Sequence, residues 1–195
     1  MKRLALSTLL ATTLGLALAG CGEKAEEPPA AQPPAVQPST AQSSAGSAYP
    51  KTDDGAKKLL EALRTGKDPA LVQQLKPATE DYKAVFEGDA ATKAEKFYTS
   101  KLWNGDEIKL AGKPEQTELK VFKATSEEIR AWGPKVAADF PGGYRQLGTH
   151  LKPGLTLYRW KYTEPGDDTG LAFEGLVNVN GHWVWMPKAW QALES

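Results

Sequence analysis

The sequence predicts an α+β domain in which N-terminal helices pack on a C-terminal, twisted antiparallel sheet, roll-like in form. Three observations predict it. Between residues 53 and 103, apolar side chains recur at helical spacing between capping residues. From Leu155 to Trp185 they alternate with polar ones, as on strands with two distinct faces. Asn180-Gly181, flanked by that alternation, is the dipeptide best suited to a two-residue hairpin turn.

Taken in order, Asp53 or Asp54 is placed to cap a first helix with Ala56, Leu59, Leu60 and Leu63 on one stripe and Gly66 as its stop. Asp68 caps a second, with Pro69 at the first helical position, where its missing N–H costs nothing, and Leu71, Val72 and Leu75 precede Lys76-Pro77. Thr79 caps a third piece, Glu80 to Glu87, ended by Gly88. Asp89 opens a longer helix to about Trp103, with Ala90, Ala94, Phe97 and Lys101 on one side and Ala91, Ala94, Tyr98 and Leu102 on the adjoining one. After Gly105 the period changes: Leu119 and Val121 alternate with Glu118, Lys120 and Phe122 in the manner of a strand.

Thr125 with Glu128 makes a capping box for a short helix bearing Ile129 and Trp132. Pro134 to Phe140 forms one or two more turns, broken by Pro141-Gly142-Gly143. Leu155 to Glu164 reads as a strand, with Tyr158, Trp160 and Tyr162 on one face and Leu155, Leu157, Arg159 and Lys161 on the other. Past a turn at Pro165 to Gly170, Leu171, Phe173, Val177 and Val179 fall on one parity. A two-residue loop at Asn180-Gly181 sets Val179 opposite His182, Asn178 opposite Trp183 and Val177 opposite Val184.

Ahead of this domain the chain has a different character. Lys2 and Arg3 precede an apolar run from Leu4 to Leu18, interrupted only by Ser7, Thr8, Thr12 and Thr13, which is the order of an export signal. Leu18-Ala19-Gly20-Cys21 closes it and resembles the lipobox of bacterial lipoproteins. The resemblance implies lipid transfer to the Cys21 thiol, cleavage between Gly20 and Cys21, and acylation of the new amino group. Two or three acyl chains hold a soluble domain at a membrane where one holds it only marginally. Gly22, where Asp would favour inner-membrane retention, implies by the same resemblance that, if the cell is Gram-negative, the protein sits in the outer membrane facing the periplasm.

Residues 21–50 are rich in Ala, Pro, Gln, Ser and Glu, with Val36 the only large aliphatic, so they bury too little apolar surface to offset their ordering entropy. The expected arrangement is a signal at 1–20, a lipidated Cys and disordered tether at 21–50, and one globular α+β domain at 51–195. Helices followed by a sheet that ends in an aromatic strand also resemble the cystatin and nuclear-transport-factor-2-like rolls, a scaffold that implies a fold and no particular function.

Charge and motif content narrow the chemistry. The chain has 24 basic and 24 acidic side chains, and losing Lys2 and Arg3 with the signal would leave 22 against 24. That balance gives no electrostatic basis for nucleic-acid binding. Cys21 is the only thiol, so packing and not disulfides must hold the domain together. His150 and His182 lack partners at metal-ligand spacing, and neither a phosphate-binding loop nor a nucleophile elbow is present. No catalytic residue, metal or cofactor is expected beyond the lipid on Cys21.

The aromatic residues carry the leading expectation, a non-enzymatic envelope lipoprotein that binds another protein or a small apolar ligand. Tyr158, Trp160, Trp183, Trp185 and Trp190, with His182 beside them, either form a ligand or partner surface or pack as the core. Because Trp183 and Val184 must point to opposite faces, one layer cannot bury both, which leaves some aromatics for solvent or a partner. The alternative is a roll-fold hydrolase or isomerase that uses His182 with Glu174, Asp139 or His150 as acid and base.

Overall fold

The computed structural model describes residues 48–105 and 107–194. The expected signal, the Cys21 expected to carry lipid and nearly all of the expected tether lie outside the described residues. Helix α1 (Asp53–Thr65) starts from Thr52, whose hydroxyl accepts the Gly55 N–H at 3.0 Å, and ends at Gly66. The cap is thus Thr52, not Asp53 or Asp54, because Thr52 is the residue with extended backbone. Ala56, Leu59, Leu60 and Leu63 are all buried.

Helix α2 (Pro69–Gln74) has the expected Asp68 cap and leading proline. Helix α3 (Thr79–Val85) starts earlier than expected, with Thr79 already inside it and Ala78 at the cap position. The Asp81 carboxylate supplies what Ala78 lacks by reaching back to the Ala78 N–H at 2.8 Å. In helix α4 (Ala90–Lys101) the buried residues are Ala90, Ala91, Ala94 and Tyr98, while Phe97 is half-buried and Lys101 exposed. Both expected sides start in the core, and the first emerges from it at Phe97 and Lys101.

Strand β1 (Glu118–Thr125) leads into α5 (Ser126–Ala131) through the Thr125–Glu128 capping box, with both reciprocal bonds formed. Then come α6 (Pro134–Asp139) and α7 (Gly143–Leu147), the latter starting within the Pro-Gly-Gly segment expected only to interrupt the chain. Five residues are too few to show a period, so α7 is visible only through what it buries, Tyr144 and Leu147. Strands β2 (Thr156–Thr163), β3 (Gly170–Val179) and β4 (His182–Trp185) and a final turn of helix, α8 (Trp190–Leu193), complete the domain.

The four strands form one antiparallel sheet in the order β1-β2-β3-β4. The hairpin register is the expected one, closed by Asn180 (φ 51°) and Gly181 (φ 81°). Strand β3, however, does not keep one parity. Tyr158 pairs with Leu176 and Arg159 with Glu174, so Gly175 has no partner and forms a bulge. Leu171 and Phe173 therefore side with Trp160 and Tyr162, whereas Val177 and Val179 lie on the opposite face.

Helices cover both faces. On the aromatic face, the Tyr162 hydroxyl donates to the Leu60 carbonyl at 2.8 Å and the Tyr158 hydroxyl to Asp53 Oδ1 at 2.9 Å, both in α1. Trp183 Nε1 donates to the Tyr49 carbonyl just ahead of that helix. On the other face, Arg159 Nη1 reaches the Asp139 carbonyl at the end of α6. Trp183 and Val184 are consequently 1% and 0% exposed, although they point in opposite directions. One layer does not bury both, as expected, but no aromatic of β4 is left for solvent, because the sheet is the middle of three layers. Among the described residues, no helix is long and apolar enough to cross a membrane.

Candidate functional site

Burial removes most of the aromatic platform. Tyr158, Trp160, Trp183 and Trp185 are buried, with Trp160 fully so, and Trp183 meets Tyr158 edge to face at 5.5 Å. Of the five aromatics considered, only Trp190 is half-buried, tilted against Tyr144 at 5.4 Å. These side chains hold together a domain that has no disulfide, and as a group they offer no surface to a partner.

His182 does meet a carboxylate, but not one of those expected. Its Nε2 lies 3.0 Å from Asp81 Oδ2. Asp81, 1% exposed, also accepts the Ala78 N–H and, through Oδ1, the Asn180 amide at 2.8 Å. Glu174 and Asp139 lie elsewhere, the first bonded to the Lys188 N–H and the second 3.8 Å from Lys135 Nζ. The carbonyl of His150 accepts the Glu87 N–H in a separate contact between α3 and the segment after α7. With both Asp81 oxygens engaged, the His182–Asp81 pair ties the β3–β4 turn to the start of α3. The one sequence signal for Asp81 was its place at the third helical position, where a carboxylate can reach back to the cap.

A groove forms where the sheet is incomplete. The Met186 N–H closes the β3–β4 ladder on the Gly175 carbonyl at 2.8 Å, after which Pro187 turns the chain away. The early part of β3 is thereby left without a strand on that side. Tyr98 from α4 fastens the departing segment by donating to the Pro187 carbonyl at 2.8 Å, and Trp103 meets Trp185 edge to face at 6.4 Å. The space left between α4 and β3 is about 460 Å³, walled by Phe97, Leu102, Phe173 and Trp185. Lys101, Glu174 and Lys188 are its charged lining residues.

Glu174 is 8% exposed, and its Oε1 accepts the Lys188 N–H at 3.2 Å. Burial raises its carboxyl above the ordinary value, opposed by the Lys188 N–H bond and by the positive charges of Lys188 and Arg159. Lys188 itself has φ 50°, a left-handed conformation unusual for a side chain of that size. On the outer side of α4, a second hollow of about 390 Å³ shares Phe97 and Lys101 with the groove and adds Lys93 and Lys96. Neither hollow includes His182.

No family model, curated protein or solved structure matches this chain. Among the described residues, no three His, Cys, Asp or Glu side chains gather as a metal centre would require.

Proposed function

We propose that the protein is an exported, lipid-anchored envelope lipoprotein whose domain binds a small apolar ligand in the groove between α4 and β3. Anchoring is supported by the order of charged start, apolar run and lipobox ending at Cys21. The groove itself carries the binding reading. Its volume of about 460 Å³ falls in the range of small-molecule sites, and an apolar wall of Phe97, Leu102, Phe173 and Trp185 is bordered by Lys101, Glu174, Lys188 and Gln191.

Filling the groove tests this. Ala172 is an exposed lining residue, so Ala172→Trp adds bulk without removing a buried contact. The neutral dye Nile red is expected to brighten with the unaltered chain and not with the variant, both retaining the same near-ultraviolet circular dichroism. Equal brightening would discard the groove as the binding place. In cells, labelled palmitate should enter the unaltered chain and not the Cys21→Ser variant, and equal incorporation would discard the anchor.

The alternative, a hydrolase or isomerase using His182 with a carboxylate, has one observation in its favour, the 3.0 Å contact with buried Asp81. It ranks second because neither hollow includes that pair and because Asp81 also holds the Ala78 N–H and the Asn180 amide, contacts that fit a structural tie.

A further inference from the structure

We infer that the ligand of the α4–β3 groove is an amphiphile with a single apolar chain and an anionic head, a long-chain carboxylate being its simplest form. The inference rests on the apolar-groove reading and adds the head group. Phe97, Leu102, Phe173 and Trp185 provide the apolar wall that a hydrocarbon tail requires. Charge complementarity defines the other end. Lys101 arrives from α4 and Lys188 from the segment after β4, so two cations enter one lining from separate elements. Both are exposed. Lys93 and Lys96 extend the same sign of charge into the adjoining hollow.

Among the described residues, none of these four lysines has a carboxylate within ion-pair distance. The only acid in the lining, Glu174, is buried, with Oε1 on the Lys188 N–H and Arg159 as its cross-strand neighbour. Its bond ties the Lys188 backbone, left-handed at φ 50°, to β3 at the rim of the groove. A neutral apolar ligand would make no use of such an arrangement.

The full chain carrying Cys21→Ser, which removes the acceptor for covalent lipid, provides the test. It is irradiated with palmitic acid bearing a chain diazirine, below the micellar concentration, and in parallel with the corresponding alcohol. The acid should label peptides from Phe97–Leu102 and Ala172–Glu174 about tenfold more than the alcohol does. Combined Lys101→Glu and Lys188→Glu should abolish that preference, Lys101→Arg with Lys188→Arg should keep it, and added salt should weaken labelling by the acid alone. Equal labelling by acid and alcohol, or a preference that survives charge reversal, overturns the anionic head and leaves the apolar groove standing. Labelling of these peptides by neither probe overturns both. If the charge-reversed chain fails to fold, the salt dependence of the unreversed chain decides.

Discussion

Asp81 and Glu174 are two buried acids handled in opposite ways. Asp81 accepts from a backbone amide and an asparagine and lies 3.0 Å from His182 Nε2, so it is engaged from three sides. Glu174 has one backbone N–H and two neighbouring cations, and burial still prevails over them. Removing a group engaged from three sides costs more than removing one of its partners. Asp81→Ala is therefore expected to lose about 2–3 kcal/mol or more, and His182→Ala, whose imidazole is partly open to water, about 1 kcal/mol. Urea unfolding measures both, and equal losses would contradict the structural role assigned to the pair. Neither residue announces the other in the sequence. They are 101 positions apart, and the hydrogen bond that joins them depends on where α3 meets the sheet.

Among the secondary elements, Gly175 does the most to position the groove. The bulge reverses the parity of β3, which puts Phe173 on the Trp160 face and Val177 on the other, and its carbonyl receives the last ladder bond before Pro187 leads the chain away. Its φ of +90° suits glycine, and a Cβ there would lie 2.2 Å from the Met186 carbonyl oxygen. Gly175→Ala should cost about 1–3 kcal/mol from the backbone alone, with the clash in addition, and should alter the near-ultraviolet signal of Trp185. Unchanged thermal unfolding would refute the bulge. Helices α1 to α6, by contrast, were legible element by element, although the caps of α1 and α3 differ from those expected and α7 and α8 were not foreseen. Caps at Asp68 and Thr125 and the stripe of α1 involve residues within a turn or two of each other, so the chain itself declares them.

Across the whole molecule, the tyrosines record how completely the two faces are covered. Burial is the leading cause that raises the hydroxyls of Tyr82, Tyr98, Tyr144, Tyr158 and Tyr162 above their ordinary value near 10. Groups raised in the folded state contribute stability that is intact below their unfolded value and lost as pH rises beyond it. Phenolate absorbance from these five should therefore appear above pH 10 together with unfolding, and not as a separate titration of a native protein. Ionisation near pH 10 with native circular dichroism retained would show that the core is wetter than described. Sequence by itself determined the helical first half, the strands, the Asn180-Gly181 turn and the register of the hairpin, because each depends on neighbours along the chain or on a turn of defined length. The expectation of lipid at Cys21 also rests on sequence alone. Tertiary structure decided that both sheet faces are covered, that the bulge divides β3, that the aromatics are core and that a lysine-bearing groove opens beside α4. Each of these depends on which distant surfaces meet, and alternation along a strand can show that it has two faces without showing how many layers will cover them.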